Sequence, residues 1–315
     1  MSSIQSPMAE AHRHIDLRPK QIDNRPRPPY LPAPTKERCR RTAVTMAAGF
    51  RCSDGVILFA DTELTYPESL KYQGSTKVRT YEDKETDITV ALTGAGDWDY
   101  LCMAFEKVLR RIPTAGDQVD TIFDAVEEVL IQIFETNIAL SPVRPRPGFD
   151  LFAAVRTPTH EFGLFKSADV AFRRGFDIEM SGVGKLLGLY LADMLYDYRM
   201  SVKQGLFLAA YILRVANKYV TGVGGKSDII TITKADGLKK AFGFDVSHLQ
   251  DHFDEFDSYL SPLILAVPDV PDSNATELQQ SESRKLFEEK LQYFVTRIKE
   301  IRKTCEDEQS PFAGL

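Results

Sequence analysis

The sequence has no long hydrophobic run and no excess of basic residues, and each shortage excludes a class of protein. The longest apolar runs, such as 205–212, are far too short to cross a bilayer. The first twenty residues are polar throughout and lack the apolar centre of a signal peptide. The formal net charge of −6 gives no basic field for nucleic acid. We therefore expect a protein that is neither secreted nor bound to membranes or nucleic acid.

Cysteine is also scarce, and the spacing of the cysteines matches no pattern of metal ligands. The four cysteines, Cys39, Cys52, Cys102 and Cys305, form no C-x-x-C pair and no spacing typical of zinc. A disulfide scaffold is not expected in a chain of 315 residues. We therefore expect a reducing, cytoplasmic environment, with no metal and no cofactor.

Residues 1–41 are poor in aliphatic side chains and rich in proline and basic residues. Such a segment cannot bury enough surface to offset the entropy lost on ordering. It is predicted to be a disordered or extended arm with polyproline character. A solvated tail, a docking arm and a removable pro-segment all fit this composition.

From Thr42 onward the pattern of apolar residues is that of a folded domain, which we assign to residues 42–243. Two apolar runs, TAVTMAAGF and DGVILFAD, predict a pair of strands joined by a tight turn. Helices are predicted over 98–112, 117–140, 184–198 and 201–218, with strands between and after them. This order suits two sheets packed face to face with helices on both outer faces. An ordinary α+β domain fits the same order, so the pattern alone leaves the architecture open.

Residues 244–315 form a C-terminal extension in this interpretation. The segment 281–305 is predicted to be an amphipathic helix, and its apolar stripe consists of Leu286, Leu291, Phe294, Ile298 and Ile301. The partner of that stripe could be the core or another subunit.

Several motifs in the domain carry a family resemblance. Thr45, Asp61 and Lys77 follow one another at two intervals of 16 residues. The segments ALTGAGD, MSGVGKLLG and TGVGGKSDIITITKADG follow in that order. Together these residues resemble proteasome β subunits and their bacterial relatives, the bacterial-type 20S proteasome-like proteins. The resemblance covers about residues 42–243 and implies an α+β fold, the four-layer αββα sandwich of N-terminal-nucleophile hydrolases.

The resemblance also implies a set of catalytic residues. A threonine hydroxyl needs an adjacent base, and the α-amine of a chain that begins with threonine can be that base. Its ordinary pKa of about 7.7–8.0 is close to working pH. The resemblance assigns the nucleophile to Thr45, the charge-stabilising ammonium to Lys77 and the orienting carboxylate to Asp61. Gly94 would supply an oxyanion-binding N–H, and Ser181 is matched to a supporting serine.

The sequence departs from this family pattern at three valines. Val44 stands where a glycine usually precedes the threonine, and its β-branched side chain crowds the carbonyl that self-cleavage must attack. Val220 and Val223 stand where an aspartate and a serine usually precede the Gly-Gly pair. Valine can neither hold an amine nor relay a proton, and Thr221 would be a partial replacement.

Three functions remain open at this point. The leading hypothesis is a threonine-type peptidase or amide hydrolase that acts on peptides or proteins through Thr45 after loss of residues 1–44. The alternative is a catalytically inactive proteasome-like subunit that serves in assembly or partner binding. A hydrolase of small amides on the same fold cannot be separated from the first by sequence. Taken singly, each site residue also has an ordinary structural explanation, such as a strand threonine or a turn glycine. We expect a homo-oligomer, for which a ring is one possible form.

Overall fold

The computed structural model describes most of the predicted domain and parts of the chain after it. The described residues are 42–43, 45–65, 71–73, 76–142, 146–168, 171–175, 177–242, 246–247, 250, 253–254, 257–258, 281–282, 285–289, 291–293, 295–296 and 299. The proposed arm 1–41 and much of the extension 244–315 lie outside them, so the predictions for those segments stay predictions.

Thirteen strands and four α-helices are described between residues 42 and 242. The strands are β1 Thr42–Ala43, β2 Met46–Cys52, β3 Gly55–Asp61, β4 Glu63–Thr65, β5 Lys71–Gln73, β6 Arg79–Asp83, β7 Ile88–Asp97, β8 Phe149–Arg156, β9 Phe162–Ala168, β10 Ala171–Arg174, β11 Ile178–Gly182, β12 Ser227–Thr233 and β13 Gly237–Phe242. The α-helices are α1 Trp98–Arg111, α2 Val119–Ile133, α3 Lys185–Leu195 and α4 Val202–Tyr219.

The strands form two large antiparallel sheets and a small one. In the first sheet the order is β1-β7-β8-β9-β10, and β6 also pairs with β7. In the second sheet the order is β11-β2-β3-β12-β13, and β4 pairs with β5 apart from both.

Three apolar clusters show that the molecule has four layers. One cluster joins the two sheets and includes Leu58, Ala60, Phe152 and Ile230. A second packs α1 and α2 on the first sheet, and a third packs α3 and α4 on the second sheet. The α+β, four-layer αββα sandwich predicted from the sequence is therefore confirmed.

Local sequence explains the centre of the second sheet. Every residue of β3 is buried, as expected for an apolar strand that is covered on both faces. A two-residue turn, Ser53–Asp54, joins β2 to β3. The Asp54 carboxylate accepts a hydrogen bond of 2.6 Å from the Val202 N–H at the start of α4. The predicted strand pair and tight turn are confirmed.

The four helices predicted within the domain are present, with differences in extent, and α3 ends at Leu195 instead of residue 198. Ser201 and Gln204 form the capping box expected at the start of α4. The second helix ends at Ile133 and continues as a single π-helical turn, Phe134–Ile138, instead of running unbroken to Leu140. In the extension, the described residues between 281 and 299 are helical, and Leu286 and Leu291 are exposed. Phe294, Ile298 and Ile301 lie outside the described residues.

Candidate active site

Thr45 lies at the junction between β1 and β2, where the chain passes from the first sheet to the second. Its side chain is buried, and its carbonyl accepts a hydrogen bond of 2.9 Å from the Val183 N–H. Gly182 has a positive φ of 89°, and any Cβ there would overlap the Thr45 carbonyl oxygen. The glycine of the MSGVG segment therefore allows β11 to approach this residue. Val44 lies outside the described residues.

Asp61 ends β3 with its carboxylate directed at Thr45. Its Oδ1 accepts hydrogen bonds from the Thr45 hydroxyl, from Lys77 Nζ at 2.8 Å and from the Met46 N–H at 3.0 Å. Its Oδ2 accepts from the N–H groups of Glu63 at 3.3 Å and Gly224 at 3.1 Å. Five donors thus surround one buried carboxylate, an arrangement that stabilises its charge and fixes its orientation.

Lys77 is the third member of the cluster and is 1% exposed. Its ammonium donates to the Thr45 hydroxyl, to Asp61 and to the Glu63 carbonyl oxygen at 2.5 Å. These three acceptors match the three N–H bonds of a protonated lysine. Burial lowers the pKa of Lys77, and the nearby carboxylates, Asp61 foremost, oppose that shift.

The structure therefore brings Thr45, Asp61 and Lys77 together, as the family resemblance implies. The hydroxyl lies between an ammonium that donates to it and a carboxylate that accepts from it. An ammonium beside a hydroxyl lowers the free energy of the alkoxide and so favours nucleophilic attack. We call these three residues the threonine centre.

The other two residues assigned from the resemblance lie further along the sheets. Gly94 is in β7 opposite Leu151, and a Cβ there would clash with the Asp150 carbonyl oxygen and with Leu101. Close packing is thus one reason for a glycine at this position, and its role as an oxyanion donor stays a prediction. Ser181 is in β11 opposite Ala47, and its hydroxyl donates to the Asp150 carboxylate.

The two valines in the family's polar positions belong to apolar surroundings. Val223 is buried in the cluster beneath α3 and α4, and Val220 packs against the same cluster. A cavity of about 400 Å³ lies beside them, lined by Glu63, residues 217–223 and Gly225. The Glu63 carboxylate is buried against Gly224, where a Cβ would lie only 2.5 Å from its Oε2.

Sequence reasoning missed Glu63 and Asp228 near the centre. Glu63 accepts from Lys77 through its backbone carbonyl, which any residue could supply, so its identity gave no signal. Asp228 is an acid within the apolar strand DIITIT, and a buried charge in such a strand is unusual. An acidic residue in an apolar strand was therefore the feature of the sequence from which Asp228 could have been identified.

Within the described residues, no cluster of His, Cys, Asp and Glu side chains is arranged to hold a metal ion. No helix in the described part of the chain is long and apolar enough to span a bilayer.

Comparison with solved structures finds proteasome-like relatives of the fold. Anbu (ancestral beta-subunit) from Yersinia bercovieri matches with a TM-score of 0.62 and 12% identity, over 73% of this chain and 100% of that chain. Anbu from Hyphomicrobium sp. strain MC1 matches with a TM-score of 0.58 and 13% identity, over 69% and 97%. A helical assembly of the Anbu complex from Pseudomonas aeruginosa matches with a TM-score of 0.59 and 12% identity, over 73% and 100%.

These comparisons correct the resemblance drawn from the sequence. No protein-family model matches the chain, and no curated protein sequence matches it. The solved structures described above are Anbu proteins, and the assignment to the proteasome β-subunit-like N-terminal-nucleophile hydrolase family, as a bacterial-type 20S proteasome-like protein, is therefore wrong as made. Identities of 12–13% are too low to carry family membership. The chain is a relative in fold of proteasome-like proteins, and the motif spacing reflects that shared fold.

Proposed function

We propose that this chain is a threonine-type hydrolase of peptide or related amide bonds, with Thr45 as an N-terminal nucleophile once residues 1–44 are removed. One observation carries the proposal: the buried Thr45 hydroxyl is hydrogen-bonded to both Lys77 Nζ and Asp61 Oδ1. A buried threonine with an ordinary structural role has no need of an ammonium on its hydroxyl, because burying that charge is costly.

The chemistry requires a free amine at Thr45. In the cleaved chain the α-amine takes the hydroxyl proton, and the Lys77 ammonium stabilises the resulting oxygen anion. The oxygen attacks the substrate carbonyl carbon, the amide bond breaks, and the departing amine takes the proton held by the α-amine. Water, deprotonated by the same amine, then hydrolyses the ester on Thr45 and restores the hydroxyl.

The strand before Thr45 suggests how an extended substrate would bind. In the intact chain β1 pairs antiparallel with the end of β7, with Thr42 opposite Asp97 and Ala43 opposite Gly96. Removal of residues 1–44 frees that edge of β7 beside the threonine. A peptide in extended conformation could then add to the same edge through its backbone. This favours a peptide or protein over a small amide as substrate.

The test compares a protein whose first residue is Thr45 with the full chain, on fluorogenic peptide amides. We expect turnover from the shortened protein and much less from the full chain, in which the Thr45 nitrogen is an amide. Thr45→Val in the shortened protein removes only the hydroxyl and should abolish turnover. Thr231→Val is the matched control, since the buried Thr231 hydroxyl has no hydrogen-bond partner among the described residues. Activity retained by Thr45→Val would refute the mechanism.

An inactive subunit is the second candidate, and the apolar surroundings of Val220 and Val223 favour it. Without a polar group at these positions the α-amine of Thr45 lacks the partners that the family pattern supplies. The inactive-subunit hypothesis is supported if the shortened protein is folded and hydrolyses no amide.

We also propose that the chain self-associates through α3. Leu186, Tyr190 and Met194 follow one another at four-residue intervals on this helix and are 81%, 62% and 56% exposed. An exposed apolar stripe of this kind is typical of an interaction surface, and a neighbour in fold forms a helical assembly. Sedimentation should give an oligomer that Leu186→Glu with Met194→Glu dissociates. Leu140→Glu, at a residue exposed elsewhere, should leave it intact. A monomer at micromolar concentration would contradict the proposal.

A further inference from the structure

The backbone around Lys77 needs external support, because residues 76–78 belong to no strand. Two buried side chains hold it, one from each sheet. The Thr93 hydroxyl in β7 donates to the Lys77 carbonyl at 3.2 Å. The Asp228 carboxylate in β12 accepts from the Lys77 N–H at 3.3 Å. These two contacts hold the Lys77 backbone, while its ammonium is held by Thr45, Asp61 and the Glu63 carbonyl oxygen.

Asp228 is also an electrostatic neighbour of the centre. It lies opposite Ala60 in β3, one position along from the pair formed by Ser227 and Asp61. Its side chain is buried, and the charged groups that act on it are Lys77, Asp61 and Arg79. Burial raises its pKa to about 6, while the N–H and the charge of Lys77 act in the opposite direction. In turn, the negative charge of Asp228 raises the pKa of Lys77 and so favours its protonated form.

We propose that Asp228 is a positioning residue of the threonine centre, which holds the Lys77 backbone in place and helps to keep its ammonium protonated. The inference rests on the proposed function for its catalytic consequence, because the ammonium matters only if Thr45 is a nucleophile. Its structural part stands on the contact between Asp228 and the Lys77 N–H. Asp228 touches neither Thr45 nor a reacting atom in this account.

Two variants separate the roles of charge and backbone contact. Asp228→Asn keeps an acceptor for the Lys77 N–H and removes the charge. Thr93→Val removes the other contact to the Lys77 backbone and changes no charge. A drop in the pKa of Lys77 that appears in Asp228→Asn and not in Thr93→Val would identify the charge as the cause.

The experiment measures that pKa directly in the full chain, by NMR titration of lysine side chains labelled with ¹³C at Cε. Lys77→Met identifies the signal. We expect Asp228→Asn to lower the pKa of Lys77 and Thr93→Val to leave it unchanged. In the protein beginning at Thr45, the alkaline limb of kcat/KM for a peptide amide should move to lower pH in Asp228→Asn. Thr93→Val should lower kcat without moving that limb.

The outcomes distinguish this inference from the proposed function. A lowered pKa of Lys77 in Asp228→Asn supports the electrostatic role even if no amide is hydrolysed, in which case the proposed function alone fails. An unchanged pKa of Lys77 in Asp228→Asn overturns the inference, whether or not the protein hydrolyses an amide.

Discussion

Two buried lysines of this molecule resemble each other in environment and differ in what they contact. Lys77 and Lys166 are 1% and 7% exposed, and burial lowers the pKa of both. Each interacts with a carboxylate that accepts a hydrogen bond from a hydroxyl: Lys77 with Asp61, which accepts from Thr45, and Lys166 with Asp150, which accepts from Ser181. Burial and an acidic neighbour therefore do not distinguish the lysine that we propose as catalytic from the other one.

The difference lies in the acceptors of each ammonium. Lys77 donates to the threonine hydroxyl, whereas Lys166 donates to the backbone carbonyl of Met180 at 3.0 Å and lies 5.5 Å from the centre of the Phe152 ring. Ser181 lies within a paired strand, so its nitrogen remains in a peptide bond whatever happens to residues 1–44. The threonine centre is distinguished by the contact between an ammonium and the hydroxyl of the residue that we propose as the new N-terminus.

The largest effect that tests this comparison is on turnover. In the protein beginning at Thr45, Lys77→Met should reduce kcat/KM by about 100-fold or more, the usual cost of losing one donor that stabilises developing negative charge. Lys166→Met should change it by no more than a few fold. Hydrolysis of a peptide amide by the two variants side by side measures this. Equal losses in both would show that the ammonium–hydroxyl contact is not what matters.

The second effect is on stability. Lys77→Met leaves the buried Asp61 carboxylate without its cation, which should lower the free energy of unfolding by about 3–5 kcal/mol. Lys166→Met should be less harmful, because Glu179 keeps an ion pair of 2.8 Å with Arg173. Urea denaturation of the full-length variants measures both. Asp61→Asn added to Lys77→Met should restore part of the loss, and a lack of any recovery would argue against a paired charge.

The third effect concerns pH and Asp228. Its pKa is raised to about 6 in the folded protein from an ordinary 3.8, so the folded state holds a proton that the unfolded state has released between these values. This carboxylate therefore lowers stability as pH rises from about 4 to about 6. Thermal unfolding of Asp228→Asn should show a Tm a few degrees above that of the parent at pH 7 and no such gain near pH 4. A gain in Tm of the same size at both pH values would show that the gain comes from packing and not from the charge of Asp228.

The smallest effect is expected at Ser181. Its hydroxyl donates a hydrogen bond to Asp150. Ser181→Ala should therefore lower the free energy of unfolding by about 1 kcal/mol. It should reduce kcat/KM only a few fold. Urea denaturation and peptide hydrolysis measure the two quantities. A loss of activity as deep as that of Lys77→Met would mean that Ser181 acts directly on the reaction.

Sequence periodicity predicted the strands and helices, because burial on both faces of β3 and an apolar face on a helix are local properties. The four layers were implied by the family resemblance. The resemblance carried by the spacing of Thr45, Asp61 and Lys77 predicted their cluster, because these residues lie at the ends or flanks of neighbouring elements. The contacts of Asp228 were not predictable in this way. They depend on the packing of β12 against a segment some 150 residues earlier, and no periodic pattern encodes that distance.

The family assignment went further than the residues allowed. Glycines such as Gly94 and Gly182 are required by close packing in this fold. Their presence is therefore evidence for the fold and is not by itself evidence for an activity. Val220 and Val223 were better evidence on that assignment. Val223 lies in an apolar cluster and Val220 packs against it, at positions where the assigned family would have polar groups.

The central claim is that Thr45 becomes a nucleophile when its amine is free. The most direct measurement is the intact mass of the protein beginning at Thr45 after treatment with a β-lactone, which acylates a reactive hydroxyl. We predict one adduct, located on Thr45 by peptide mapping, absent from Thr45→Val and formed far more slowly in Lys77→Met. An adduct on another residue, or none on a folded protein, would contradict the claim.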